Sequence, residues 1–165
     1  MIDWQAIVRK YGPIVWQTAY RLVGNHTDAA DCFGETFVYA LEVSRRRRVR
    51  NFPALLVRLA TWRAIDALRQ RFSRSRTVDA VDVVTLPGNG LGPVQQAQTH
   101  ELAAKLRKAL AQLPSKEAEV FCLRYLNDMS YRHIGKELGI RANTAGVLLN
   151  RARVKLRTII ELPPD

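Results

Sequence analysis

Arg141, Asn143 and Thr144 stand at the start of a helical segment that follows LNDMSYRHIGKELGI and runs into NTAGVLLNRARVKLR. A guanidinium can pair with a guanine edge or a phosphate, and a side-chain amide can read an adenine edge. Arg151 and Arg153 lie two turns further on, where contact with backbone phosphate is the natural use. A short helix stopped at Gly139 and followed by a second, basic helix is the helix-turn-helix pattern. Its second helix enters the DNA major groove with its N-terminal half. Far upstream, RLATWRAIDALRQRFSRSR sets Trp62 among Arg58, Arg63, Asp66, Arg69 and Gln70. An aromatic on such a face can stack on an unpaired base, wedge a duplex open, or simply pack into the core. The run Arg45, Arg46, Arg47, Arg48 precedes this helix and extends the electropositive surface or forms a solvated loop.

The charge of the whole chain fits such chemistry. Among 165 residues, 26 Lys and Arg face 15 Asp and Glu, a formal net charge of +11. This balance favours a polyanionic partner, foremost nucleic acid. Hydrophobic residues make up 47%, enough for packed cores and too many for a disordered tail. Cys32 and Cys122 are far apart in apolar helical stretches, which predicts buried free thiols and no disulfide framework. With His26, His100 and His133 they form no metal-binding spacing, so neither metal nor cofactor is expected. Nor does a Ser-His-Asp arrangement or a glycine-rich phosphate loop appear, so no catalytic activity is expected. The N-terminal MIDWQAIVRK lacks the apolar stretch of a signal peptide and no run suits a bilayer, which predicts a cytoplasmic chain without membrane insertion.

Positioning these residues requires helices throughout. Charge divides the chain into three zones: residues 1–76 carry +8, 77–99 carry −2 without any Lys or Arg, and 100–165 carry +5. The middle zone, TVDAVDVVTLPGNGLGPVQQAQT, reads as a flexible linker, because a structureless loop that long is uncommon inside one domain. The expectation is an all-α protein of two small helical domains, 1–76 and 100–165, joined by the linker 77–99. The C-terminal domain holds the helix-turn-helix.

In the first domain Trp4, Ile7, Val8, Tyr11 and Val15 recur at helical spacing, with Gly12-Pro13 as a site of kinking or interruption and Gly24-Asn25 as the end. Thr27 is the expected cap of the next helix, with an apolar face of Ala30, Phe33, Phe37 and Leu41. Pro53 opens a third helix, with Leu55, Leu56, Leu59, Ala60, Ala64 and Leu68 on its buried side. In the second domain the expected stripe is Leu102, Leu106, Ala109 and Leu110. Ser115 and Ser130 are the expected caps of the next two helices, Asn127-Asp128 a turn, and Gly139 a left-handed stop.

Together these segments resemble the sigma-70 family of bacterial transcription initiation factors, and the length points to its extracytoplasmic-function (ECF) group. The resemblance rests on YGPIVWQTAYRLVGNHTDAADCFGETF and RLATWRAIDALRQR in the first domain, and on LPSKEAEVFCLRYLNDMSYRHIGKELGI and NRARVKLR in the second. It implies a sigma-70 region 2-like domain that binds core RNA polymerase and the minus-10 element, and a region 4-like domain that binds the minus-35 element. By this resemblance Asp28, Asp31, Glu35 and Thr36 fall in the polymerase-docking segment, with Phe37 as its apolar core. Arg45 to Arg48, Arg58, Trp62, Arg63, Asp66, Arg69 and Gln70 fall in the minus-10 surface. Arg141, Asn143, Thr144, Arg151 and Arg153 fall in the minus-35 helix. Trp62 stands where the family has asparagine, Gly34 where it has glutamine, and Gly146-Val147-Leu148 replaces a polar and basic stretch. Promoter DNA, both duplex and melted, and core polymerase are the implied partners, and an anti-sigma factor is one the resemblance allows. Two other functions fit the same residues: a helix-turn-helix regulator acting without core polymerase, and a sigma-like adaptor that has lost promoter reading.

Overall fold

Local capping sets the helix boundaries. In the computed structural model, which describes residues 1–74 and 93–161, helix α1 spans Trp4–Val23. The Asp3 carboxylate accepts from the Ala6 amide at 3.2 Å, one of the helix's unpaired N–H groups. Gly24, at φ 75°, ends it in the left-handed conformation that glycine adopts without a Cβ penalty. The helix continues through Pro13, so Gly12-Pro13 does not interrupt it.

Helix α2 (His26–Arg46) is capped by Asn25, not Thr27: the Asn25 Oδ1 accepts from the Asp28 amide at 2.8 Å. Asn25 has the extended backbone of a cap, so helical bonding begins before Thr27 is reached. The buried stripe of α2 is Ala29, Cys32, Thr36 and Ala40. It lies one position away from the expected Ala30 and Leu41 face, and Ala30 is exposed. Small residues let the neighbouring helices approach, while Phe33 and Phe37 pack from the side, their rings 5.1 Å apart.

Helix α3 (Phe52–Arg74) begins behind Asn51, whose side chain accepts from Ala54 N at 3.1 Å, with Pro53 in the first turn. Nine of its residues are buried, from Leu55 to Leu68, which makes it the spine of the molecule. Helices α1 and α2 pack on one side of it.

The second half comprises α4 (Pro93–Gln112), α5 (Ser115–Tyr125), α6 (Tyr131–Leu138) and α7 (Ala142–Glu161). Helix α4 starts inside the span expected as linker, so 93–99 is helical, and 77–92 lies outside the described residues. Leu102 is 57% exposed, and the buried part of α4 is Ala109 and Leu110, followed by Leu113. Ser115 is the first residue of α5 and gives no side-chain cap, because Pro114 occupies the cap position.

The halves share apolar surface. One cluster joins Ala19, Leu22 and Val23 of α1, Cys32 of α2 and Ile65 of α3 to Leu110, Leu113, Cys122 and Leu156 of the second half. Another places Val57 of α3 against Val120, Leu123, Ile134 and Leu149. Polar contacts follow the same seam. The Arg107 guanidinium donates to Leu22 O at 2.9 Å and to Arg21 O at 3.3 Å, and Arg21 donates to Leu126 O at 3.3 Å. Arg107 thereby satisfies carbonyls that α1 leaves open at its C-terminus. A Cβ on Gly24 would meet the Arg107 Cζ at 2.5 Å, so this glycine serves both the turn and the seam. Both cysteines are free and buried, as expected.

Candidate nucleic-acid interface

The turn between α6 and α7 is built from three local devices. The Ser130 hydroxyl accepts from the His133 amide at 3.2 Å and caps α6. Gly139, at φ 68°, reverses the chain, and Ile140 N donates back to Gly135 O at 2.9 Å. This pairing of a left-handed glycine with a long back-bond satisfies carbonyls at the end of the helix. Gly135 is required by space: a Cβ there would lie 2.6 Å from the Ile140 carbonyl oxygen. Ile134, Ala145 and Leu149 hold the α6–α7 pair to a cluster shared with Val120 and Leu123 of α5 and Val57 of α3.

This arrangement leaves Arg141, Asn143, Thr144, Arg151 and Arg153 exposed. Asn143 and Thr144 lie in the first turn of α7, and Arg151 and Arg153 at its middle. Lys155, by contrast, is tied to the buried Glu117 at 2.9 and 3.0 Å. The free cations of α7 are thus presented outward from a helix fixed on its opposite side.

The upstream surface is organised differently. Arg45 to Arg48 are all exposed where α2 ends. Trp62 is 38% exposed and meets Tyr39 edge-on, with centroids 5.1 Å apart at 72°. The other side chains of this surface are engaged. Arg63 pairs with Glu35 and, at 2.6 Å, with Asp66, and Gln70 donates to Asp66 at 3.1 Å. Arg69 donates to Leu113 O at the end of α4. Arg58 Nε lies 3.4 Å from a Glu137 oxygen, an ion pair without hydrogen-bond alignment. Two cations of α3 are therefore held by groups of the second half.

The docking segment is likewise partly engaged. Asp28 pairs with Arg71 at 2.6 Å and accepts from Asn25 at 3.0 Å. Burial raises its pKa, but those hydrogen bonds and the Arg71 charge outweigh it, so the carboxyl sits below its ordinary range. Asp31 is exposed and Glu35 is half-buried against Arg63. Thr36 is fully buried and donates its hydroxyl to Cys32 O at 2.6 Å, so it presents no docking side chain and instead braces α2.

Sequence reasoning did not reach Tyr39, Arg107, Glu119 or Glu137. They become significant only through contacts between distant segments, for which a linear pattern has no signal. Tyr39, Arg46, Arg58, Trp62, Lys116 and Glu119 line a groove of about 520 Å³ where the halves meet. Glu119 is 9% exposed. Burial raises its pKa, and the nearby positive charges of Arg58, Lys116 and Arg69 offset this only in part. A carboxyl raised in the folded state favours folding below its unfolded pKa and loses that contribution as pH rises through the folded value. Glu119→Gln is therefore expected to raise the melting temperature at neutral pH, with the gain disappearing below the ordinary carboxylate range. Thermal melts of both proteins across that pH range check it.

A helix-turn-helix together with a second basic helical surface is an arrangement suited to DNA binding. Family models are more specific: Sigma-70 region 2 matches residues 7–74 and Sigma-70, region 4 matches residues 103–156, and the chain belongs to the sigma-70 family. It is 30% identical over 157 residues to the ECF RNA polymerase sigma factor SigE of Mycolicibacterium smegmatis, a match covering 95% of this chain and 61% of that protein, so the chain spans less than two thirds of this relative. It is 28% identical over 159 residues to the ECF RNA polymerase sigma factor SigW of Bacillus subtilis, covering 92% of this chain and 85% of the relative. The fold is similar to that of the sigma factor RpoE of Bartonella quintana, solved in complex with the anti-sigma factor NepR. That likeness has a TM-score of 0.59 at 20% identity and covers 98% of this chain and 99% of the other. No helix among the described residues is long and apolar enough to cross a membrane.

Proposed function

We propose that the chain binds core RNA polymerase and directs promoter recognition, melting and initiation, acting in the cytoplasm. The observation that carries this reading is the ordered pair of region 2 and region 4 matches on a helical fold whose α6–α7 turn presents a basic helix outward. Asp28, Asp31 and Glu35 dock the first half onto the polymerase. Arg45 to Arg48 and the α3 face hold the minus-10 strand, where aromatic stacking and cationic contacts offset the cost of unpairing bases. Helix α7 binds the upstream duplex. The polymerase carries out nucleotide addition, and this chain supplies position and strand capture. An anti-sigma factor, such as the one in the complex of the similar Bartonella quintana sigma factor, is a further partner of such a chain.

For Arg58 and Arg69 to meet promoter phosphate they first leave Glu137 and the Leu113 carbonyl. A reconstituted assay tests the whole reading: the chain co-elutes with purified core polymerase and yields transcripts from defined start sites. Core binding without initiation favours the adaptor, and duplex binding without core binding favours the independent regulator. Arg151→Ala and Arg153→Ala are expected to weaken duplex binding across sequences and to lower the salt slope by roughly 1 each. Binding titrations at several salt concentrations measure this, and an unchanged slope removes both residues from the phosphate contacts.

A further inference from the structure

Two helical glycines have no internal reason to be glycine. A Cβ on Gly34 or on Gly146 meets nothing within 4 Å, and both lie at ordinary helical φ. Glycine is the least favourable helix residue after proline. Both lie on surfaces read above as partner-facing, Gly34 in the docking segment and Gly146 on α7. At Gly146 the neighbouring side chains say what the partner group is. Asn143, Gly146, Val147 and Asn150 fall at i, i+3, i+4 and i+7, on one face of the half of α7 that would enter the groove. Val147 is 50% exposed, flanked along this face by Asn143 and by Arg151. It can neither donate nor accept a hydrogen bond. The apolar group that the major groove offers such a side chain is the C5-methyl of thymine.

We infer that Val147 reads a thymine methyl in the upstream duplex and that Gly146 is the clearance that lets α7 sit close enough to reach it. The inference rests on the proposed promoter function and names the base chemistry of its upstream contact. Gly146 leaves a Cβ out of this face between Asn143 and Asn150, a recognised use of glycine where backbone approaches a ligand. Val147 then covers the methyl, and Asn143 remains free for an adenine edge on the same face. Reading at Gly146-Val147 is thus by shape and methyl contact, without a hydrogen bond.

The test uses holoenzyme assembled from the full chain and core polymerase, with selection from a promoter library randomised in its upstream duplex. The selected sequences are then rebuilt with deoxyuridine in place of thymidine, which removes only the methyl. The expected result is enrichment of A·T pairs and an affinity loss of about fourfold per contacted methyl on uracil substitution. In Val147→Ala the uracil effect shrinks, and in Val147→Asn it disappears. Gly146→Ala is expected to melt at a higher temperature than the parent, because its Cβ enters open space, yet to bind the selected duplex about tenfold more weakly. Equal affinity of the parent holoenzyme for thymine and uracil duplexes overturns the inference, as does undiminished binding by Gly146→Ala. If holoenzyme forms but no upstream sequence is enriched, the upstream contact of the proposed function fails along with it. If no holoenzyme forms, the proposed function itself fails at the first step.

Discussion

Replacing Leu110 with aspartate is expected to part the two halves of the chain while leaving most of its helices intact. Leu110 is 1% exposed in the cluster built from both halves. Truncating a buried leucine to alanine costs about 2–5 kcal/mol, and a carboxylate in its place adds the cost of burying an unpaired charge. The sum is comparable with the whole stability of a small domain, about 5–15 kcal/mol. Separation relieves it without global unfolding. The first half keeps Val15, Ala40, Leu55, Leu56, Leu59 and Ala60 together, and the second keeps Val120, Leu123, Ile134, Ala145 and Leu149, losing only Val57 of α3 from that cluster. The variant should therefore show a larger radius by small-angle scattering, near-parental helicity and a melt that begins earlier. It should also bind single-stranded DNA several-fold better in the absence of polymerase, because Arg58 and Arg69 lose their internal partners. A folded variant with the parental radius would show that this seam does not depend on Leu110.

Gly135→Ala is expected to destroy upstream-duplex binding despite introducing a better helix former. Propensity favours alanine over glycine by about 1 kcal/mol in a helix interior. Here the new methyl lies 2.6 Å from the Ile140 carbonyl oxygen and 3.4 Å from Ala142 N, both backbone atoms of the turn. No side-chain rotation relieves that collision. Either α6 shifts or the Ile140–Gly135 hydrogen bond opens, and each re-aims α7. Overpacking of this kind costs about 1–3 kcal/mol, so the expected net effect is a loss of local stability. Amide exchange should accelerate across residues 131–145, and duplex affinity should fall by more than about tenfold, since a misaligned helix forfeits its base contacts. Binding to core polymerase through the first half should persist, which separates this outcome from general unfolding.

The sequence made the helix-turn-helix legible because its determinants are local. Ser130, Gly139 and the apolar Ile134 and Leu138 sit within a span of ten residues, and each acts on the backbone beside it. Gly24 was legible for the same reason. The misplaced caps at Thr27 and Ser115 show where this reasoning ends: Asn25, two residues before Thr27, and Pro114, directly before Ser115, already hold the cap positions. The stripe of α2 was displaced because large aromatics dominate a hydrophobic pattern, while close helix packing selects small residues for the innermost row. The seam between the halves was not legible at all. Arg58 and Glu137, or Arg107 and Leu22, are joined only after the chain has folded, and each looks like an ordinary surface residue in isolation.

The free thiols give this seam a clock. Burial pushes the Cys32 thiol up to about 11 and that of Cys122 higher still, and both belong to the cluster shared by the two halves. A protonated, covered thiol is a poor nucleophile. Each cysteine therefore reacts with an alkylating reagent only during excursions that uncover it, so the modification rate counts those excursions. Followed with and without core polymerase or DNA, the two sulfurs would reveal which encounter pries the molecule apart, and how often it opens unaided.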